Sequence, residues 1–509
     1  MAAFVNRLPT ELLVEIFLNL VNLPWPRRRH TANLVTATHV CSHWRRVAVG
    51  AARLWTAVPL HNRVAADTFF KRSKGLGVKL SLRGPHGYVS RGAVQAIQDE
   101  LHRVRAVRLT VHYSSGMDIA AFINIFRGSA PMLEEFHFEV LGSIEDSRAN
   151  QLSRMPPLVF EKTAPLLRCL DMGHFDIGLR FALANSIVHL SIRKNRQLPA
   201  AQLLNLLSYC PLLETLNYAC PGQRIQLDDS FAQIRSDLLI ELPRLKRAQI
   251  VTQPGSGMTE ILSHITIPPS AALRLATAQY TDFPPSYWFI PEQSTPNLKC
   301  LVGIKRMELL FEALPDTHAR FFLRAFHDSD ATFGEPALEI KITASKELDS
   351  AMALSGYLSS IPFDVSGVET LVVSGFREPF SISSVGASWN GVLDGMQALR
   401  RLRVVSSSAL TVLPLVRLLG RQAPVDEPEL DPGFRACPKL EALEFLDVPR
   451  DPFEGYAPLY ETIIRRVVYG VLKEVDLFQV GGWTKEVAAQ LMQELEGMAV
   501  VQVEVDQMD

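Results

Sequence analysis

Apolar residues recur at helical spacing near the start of the chain. Between positions 8 and 20 they stand one, three or four residues apart, which predicts one broad apolar stripe on an amphipathic helix. Pro9 is tolerated in a first helical turn and Glu11 suits the positive end of the helix dipole, so the helix is expected to begin here. The stripe consists of Leu8, Leu12, Leu13, Ile16, Phe17 and Leu20, and a second one of Val40, Cys41, Trp44, Val47 and Ala48.

The segment from Leu8 to Trp55 is therefore expected to form a small helical unit. A unit of about 50 residues with two or three short helices buries too little apolar area to be stable alone. The pattern thus implies that this unit packs on a partner or on a neighbouring domain.

After Trp55 the pattern alternates between strand and helix periods. Because a parallel pair of strands cannot be joined by a tight turn, strands separated by helical stretches predict a parallel sheet with crossover connections. Strands are predicted over Thr56–Leu60, Val78–Leu82 and Ala106–Val111, and helices over Arg63–Lys74 and Ala93–Leu101.

A repeat of the form x-Pro-x-Leu-charged-x-apolar follows, at irregular intervals of roughly 20 to 50 residues. Proline ends a preceding helix, the next leucine is expected to enter the core, and the alternating residues after it predict a short strand. Stacked copies predict a degenerate solenoid. The copies lie at 130–136, 164–170, 210–216, 242–248, 295–301 and 437–443, with weaker ones at 186–192, 368–373, 398–404 and 472–477 and alternating runs at 271–276 and 337–342.

Stretches rich in proline and glycine interrupt this array. Surface insertions are predicted near 253–258, 283–296 and 422–435. The chain is predicted to close with a helix over Trp483–Leu495 and a strand over Val500–Val505.

The composition of the chain indicates which kinds of partner and which cellular compartment to expect. With 52 Lys and Arg against 53 Asp and Glu among 509 residues, the charge gives no reason to expect a nucleic acid or an anionic membrane as partner. No apolar run is long enough for a transmembrane helix, and the first residues lack a secretory pattern. Six cysteines without a C-x-x-C pair indicate a reducing compartment, so we expect the cytoplasm, the nucleus or both.

No known catalytic motif is present, so we expect no enzyme activity, no cofactor and no metal site. His39 and His43 stand four apart, but no further ligand lies near, and both are expected to be ordinary helix residues. Cys41 is interpreted as a packed or interface thiol, and Arg27–His30 as either a contact for an acidic surface or a solvated loop. The pair Trp288 and Phe289 is either a contact for a target or a plug in the array.

The first segment resembles the F-box family, whose pattern has three separated parts in the same order. The match covers about a tenth of the chain, and the linker from Val21 to Thr31 is longer than in many F-boxes, as in extended-loop proteins common in fungi. The resemblance assigns to the contact with a Skp-type adaptor the residues Leu8, Pro9, Glu11, Leu12, Ile16, Phe17, Val40, Cys41, Trp44, Arg45, Leu54 and Trp55.

The resemblance implies an α/β protein with a helical F-box over 1–58 and an irregular leucine-rich-repeat-like solenoid over 59–509. Its implied function is substrate recognition in an SCF-type cullin-RING ubiquitin ligase, in which the F-box binds the adaptor, and through it the cullin, while the repeats bind an unidentified target protein. The alternative is a scaffold or recognition protein that acts outside ubiquitylation.

Overall fold

The computed structural model describes the chain in segments. They are residues 8–21, 30–82, 91–112, 124–141, 164–173, 184–193, 200–220, 239–252, 256–277, 290, 296–313, 318–329, 334–345, 361, 363–375, 389, 392–407, 409–421, 434, 436–448, 457–481 and 483–504.

The chain divides into two compact units, which are described separately. The first comprises Met1–Asn195 and Asn205–Asn217, and the second Arg196–Leu204 and Tyr218–Asp509. The division predicted at residues 58 and 59 is a finer one within the first unit, and it stays a prediction.

The first unit begins with the predicted helical segment. It contains helices α1 (Thr10–Val21), α2 (His30–Val40) and α3 (Ser42–Gly50), followed by a 3-10 helix over Ala52–Trp55. A helical start to the chain is thereby confirmed.

A parallel sheet follows in the first unit, and its strands pair in the order of the sequence from β1 to β6. Strand and helix periods therefore predicted the correct architecture here. The elements are β1 (Ala57–Pro59), α4 (Arg63–Arg72), β2 (Val78–Leu82), α5 (Arg91–Glu100), β3 (Val104–His112), β4 (Glu135–Leu141), β5 (Cys169–Gly173) and β6 (His189–Arg193). Short 3-10 helices lie at Leu101–Arg103, Asn124–Arg127 and Ala184–Ser186, and α6 (Ala200–Ser208) and β7 (Thr215–Cys220) each contain a division point between the units.

Each proline copy of the repeat forms the same local structure, a turn at the proline and the residue after it. Proline suits the second position of such a turn because its ring fixes φ. In the copy around Pro131 the Leu133 N–H donates to the Ala130 carbonyl at 3.1 Å, and in the copy around Pro438 the Leu440 N–H donates to the Cys437 carbonyl at 3.2 Å. The leucine that follows the turn is buried in all six copies, at Leu133, Leu167, Leu213, Leu245, Leu298 and Leu440.

The prediction that each proline ends a helix is only partly correct. Helix α6 does end shortly before Pro211, but a short strand precedes Pro243. The proline defines the turn that leads into the core, whatever element comes before it.

The second unit also contains a mostly parallel sheet. Its elements are β8 (Ile240–Glu241), β9 (Arg247–Thr252), α7 (Ser256–Ser263), β10 (Ile265–Thr266), β11 (Ala272–Thr277), a 3-10 helix (Lys299–Leu301), β12 (Arg306–Ala313), β13 (His318–Phe326), β14 (Leu338–Ser345), β15 (Thr370–Ser374), β16 (Arg401–Val405), α8 (Ala409–Leu419), β17 (Ala442–Val448), α9 (Ala457–Val468), β18 (Glu474–Val480), α10 (Lys485–Glu494) and β19 (Val500–Glu504). Strands β15 to β19 pair in sequence order and in parallel, as predicted.

The array departs from a uniform parallel order in the middle of the second unit. Strand β13 is antiparallel to both β12 and β14, while β11 pairs with β14 and β12 pairs with β15. The strands β12, β13 and β14 therefore lie in reversed order between β11 and β15. Short connections explain this arrangement, since only antiparallel neighbours can be joined without a long crossover.

Two local predictions are wrong. Residues 299–301 form a 3-10 helix, not a strand, because the adjacent residues Cys300 and Leu301 are both buried and cannot share one face of a strand. A surface insertion is predicted at 253–258, but a helix begins at Ser256. Met258, Ile261 and Leu262 are buried, so one side of this helix lies in the core.

The structure describes only single residues of the other two predicted insertions. Residues 283–296 contribute Ile290 and Pro296, and Trp288 and Phe289 lie outside the described residues. From 422–435 the structure describes Phe434 alone, which is buried with the Arg466 guanidinium 4.3 Å from its ring centre. None of the helices in the described segments is long and apolar enough to cross a membrane.

Candidate functional site

One side of helix α1 is packed against the rest of its unit. Leu13 and Phe17 are fully buried, and Leu18 is nearly so. The Phe17 ring meets the Trp44 ring of α3 edge to face, with 5.0 Å between the ring centres. Such aromatic pairs add specific geometry to apolar burial, so this contact fixes α1 against α3.

A neighbouring side of α1 is equally apolar but faces solvent. Leu12, Ile16 and Leu20 are 52%, 42% and 37% exposed. Their spacing of four residues places them in one row along the helix, and the exposed Pro9 precedes Leu12 by three. We name Pro9, Leu12, Ile16 and Leu20 the outer row. Contiguous apolar side chains in contact with water are typical of a surface that a partner covers.

Helix α2 contributes two further exposed apolar side chains, Val35 and Val40. Its own packing side consists of Leu34, Ala37 and Thr38, which are buried. The helix thus has inward and outward apolar residues, as α1 does.

Hydrogen bonds fix the corner between α2 and α3. The Cys41 sulfur caps α3 by accepting a hydrogen bond from the Trp44 backbone N–H at 3.4 Å. The Arg45 Nε donates to the Thr38 carbonyl at 2.8 Å, near the end of α2. Cys41 and Arg45 therefore set the angle at which Val40 is presented.

Trp55 anchors the helical segment to the sheet region. Its indole N–H donates to the Ala48 carbonyl at 2.8 Å, and its ring meets Phe69 of α4 edge to face at 4.8 Å. The Arg72 guanidinium lies 4.3 Å from the Trp55 ring centre. The segment is thus attached to the following elements through a buried aromatic contact.

The residues assigned to the adaptor contact differ in how exposed their side chains are. Exposed are Pro9, Glu11, Leu12, Ile16, Val40 and Arg45; partly buried are Leu8, Cys41 and Trp44; buried are Phe17, Leu54 and Trp55. The three buried side chains can support a binding surface but cannot touch a partner in this conformation. The role of the set at an adaptor stays a prediction.

Residues 5–60 match the family model described as F-box-like. The match supports an F-box protein. It includes all three parts of the sequence pattern and the whole of the outer row, and F-box domains generally bind Skp-type adaptors. No curated protein matches the chain.

The remaining candidates from the sequence lie within the segment that matches the F-box-like model. His39 is exposed and His43 is partly buried, and no group of three or more His, Cys, Asp or Glu in the described segments is arranged to hold a metal ion. The side chains of the basic cluster Arg27–His30 lie outside the described residues.

A second feature, absent from the sequence predictions, lies on the outward face of β3 to β6. Apolar residues of these strands, such as Phe136, Phe138 and Leu170, are buried on the other face. We name the outward charged residues the charged strip: Arg108, Glu135, His137, Glu139, Asp171 and Arg193.

The positive and negative side chains of the charged strip pair with one another. Arg108 pairs with Glu135 at 2.6 Å, and Arg193 pairs with Glu139 at 3.0 Å and with Asp171 at 3.1 Å. The His137 Nδ1 lies 3.4 Å from the Asp171 carboxylate. Every carboxylate of the strip therefore has a cationic neighbour.

These contacts shift the pKa values of the strip. The hydrogen bond with Asp171, followed by that with Cys169, raises the pKa of His137 to about 9. Burial works against ionisation of Asp171, but the hydrogen bond with His137 and the charge of Arg193 outweigh it and lower the pKa of Asp171. His137 is therefore an imidazolium at neutral pH.

The repeat contains the signal that predicts this strip. Superposing the copies at 130–136 and 164–170 sets Glu135 opposite Cys169, and two residues further it sets His137 opposite Asp171. Strands β4 and β5 pair in this register. The polar positions between the repeat's apolar residues thus specify which charges become neighbours.

Proposed function

We propose that this protein is the substrate-recognition subunit of an SCF-type cullin-RING ubiquitin ligase. The F-box-like domain would bind a Skp-type adaptor, and through the adaptor the cullin. The observation that carries this proposal is the outer row, a line of solvent-exposed aliphatic side chains inside the segment that matches the F-box-like model.

We further propose that the strands after the F-box-like domain form a degenerate leucine-rich-repeat-like solenoid that binds a target protein. Parallel neighbours in sequence order support it, as does the turn shared by the proline copies. The reversed strands β12 to β14 would be an insertion into that solenoid. The linker from Val21 to Thr31, longer in sequence than in many F-boxes, would make it the kind of F-box protein common in fungi.

The protein would act by proximity and not by chemistry of its own. Holding a target near a charged ubiquitin-conjugating enzyme raises the effective concentration of the acceptor lysine. We propose a location in the cytoplasm or nucleus, because all six cysteines are free thiols, as in a reducing compartment.

Truncation of the outer row tests this proposal. We expect Leu12→Ala with Ile16→Ala to weaken binding of a purified Skp-type adaptor by about 30-fold or more, since the loss of even one anchoring side chain at an interface costs about 2 kcal/mol. The dissociation constant would be measured by calorimetry with the full chain.

Val64→Ala is the matched control, because Val64 is an equally aliphatic side chain, 74% exposed, on α4 and outside the matched segment. Normal adaptor binding by the double variant would refute the assignment of the outer row. If the adaptor binds but no cullin joins the purified complex, the scaffold function outside ubiquitylation replaces the ligase.

A further inference from the structure

Cys169, His137 and Asp171 form a connected set on the outward face of β4 and β5. The Cys169 sulfur lies 3.7 Å from the His137 Nε2, and the His137 Nδ1 lies 3.4 Å from the Asp171 Oδ2. A thiol, an imidazole and a carboxylate joined in this order are the arrangement in which a cysteine acts as a nucleophile. His137 and Asp171 belong to the charged strip, Cys169 lies beside them on the same face, and all three lie outside the segment that matches the F-box-like model.

Cys169 is one of two cysteines that solvent reaches. Cys210, Cys220, Cys300 and Cys437 are buried, and burial raises the pKa of Cys210, Cys300 and Cys437 to about 12. The other accessible one, Cys41, caps α3. Accessibility and a paired imidazole therefore coincide at Cys169 alone among the six.

The imidazole beside Cys169 carries a proton at neutral pH, because Asp171 holds it in the charged form. This imidazolium lies beside the Cys169 sulfur, so it can donate a proton to a molecule that the sulfur attacks. Glu135 is also close to His137, since its carboxylate lies 3.8 Å from the same His137 nitrogen, and Arg108 pairs with Glu135. The charged or titratable side chains that face the pair are Lys79 on β2, Arg108 on β3, Glu135 and Glu139 on β4, Asp171 on β5, and His189 and Arg193 on β6.

We propose that Cys169 is a nucleophilic modification site for small α,β-unsaturated carbonyl compounds, with His137 as its proton partner and Asp171 as the residue that orients His137. The reaction is stoichiometric and leaves a substituent on Cys169, beside the charged strip.

The step is balanced without any further reactant. The thiolate attacks the β-carbon and forms a carbon–sulfur bond, while the electron pair of the carbon–carbon double bond moves to the α-carbon. That carbon takes the proton of the His137 imidazolium, and His137 regains a proton from water. No group leaves and nothing is oxidised.

The backbone favours this chemistry over acyl transfer. A tetrahedral acyl intermediate needs converging N–H donors for its oxyanion. At this site the N–H groups of Arg168 and Cys169 both donate to the Glu134 carbonyl, at 2.9 and 3.0 Å. Conjugate addition needs only one proton, which His137 carries.

The test is the rate of adduct formation with acrylamide between pH 6 and pH 8, followed on the Cys169 peptide of the full chain by mass spectrometry. We expect Cys169 to react about tenfold faster than N-acetylcysteine at pH 6, because the His137 imidazolium lies beside the sulfur and supplies the proton that the α-carbon takes. His137→Gln should abolish this advantage, and the Cys41 peptide of the same digest should react at an unchanged rate.

A Cys169 rate that follows or stays below that of N-acetylcysteine at every pH would overturn the proposal. So would a His137→Gln variant that reacts as fast as the unmodified protein at pH 6. If His137→Gln does not fold, the pH profile of the unmodified chain still decides, and Asp171→Asn gives a second variant with the same expected direction.

Discussion

The outer row of α1 and the charged strip of β3 to β6 both face solvent. Only in the strip do the side chains pair with one another. In the strip each carboxylate has an arginine or a histidine beside it. In the outer row Leu12 and Ile16 are about half exposed, and within the described residues no packing buries them. An apolar row gains free energy when it is covered, whereas a compensated charged surface loses hydration when it is covered. The difference shows that outward position alone does not identify a binding surface.

The first prediction separates the two sides of α1. Phe17→Ala should cost about 3 to 5 kcal/mol, because it removes a fully buried ring that packs on Trp44. Leu12→Ala should change stability by no more than about 0.5 kcal/mol, because half of that side chain is already in water. Hydrogen exchange of α1 and α3 in the two variants measures the difference.

Equal loss of protection in both variants would mean that Leu12 is packed as Phe17 is. The outer row would then not be a free surface, and its contrast with the charged strip would disappear.

Periodicity predicted the helices and strands well, because the apolar residues that recur at strand or helix spacing are the ones that become buried. It predicted Val78–Leu82 as a strand with the bounds that β2 has, and it predicted a short strand after the turn of the last proline copy, where β17 lies. Periodicity could not predict which residues of the apolar stripe of α1 are exposed. Leu12 and Leu13 are adjacent and chemically alike, and only packing against α3 places one of them inward.

Long-range pairing was harder to predict than local structure. The reversed order of β12 to β14 depends on which strands meet, and an alternating run such as 337–342 is compatible with either direction. The charged strip was predictable in principle from the repeat register, since His137 and Asp171 occupy equivalent positions of two copies.

The second prediction concerns pH and the charged strip. The pKa of His137 is raised to about 9 in the folded protein from an ordinary 6.5, so its contribution to stability is complete below pH 6.5 and is lost as the pH rises through 9. The pKa of Asp171 is lowered, so its contribution is present above pH 3.8 and is lost as the pH falls below that value. The strip therefore stabilises the fold most between these limits.

Asp171→Asn should remove about 1 kcal/mol of this stabilisation, a small value because the pair is partly hydrated. It should also lower the pKa of His137, which the NMR titration of the His137 ring protons would show. Unfolding of the variant and of the unchanged protein would be compared at pH 6 and pH 9.5. An identical loss of stability between these pH values in both proteins would exclude a role for the His137–Asp171 contact.

The smallest effect is expected at an ion pair beside the outer row. Glu15 on α1 and Arg53 lie 3.3 Å apart, but their side chains are 58% and 68% exposed, so water screens their attraction. Glu15→Gln should change stability by less than about 0.5 kcal/mol, and 0.5 M salt should have as little effect on the unchanged protein. A larger cost, measured by urea unfolding, would mean that this pair holds α1 in place. The orientation of the outer row would then depend on charge, as the strip does, and not on the aromatic contact between Phe17 and Trp44.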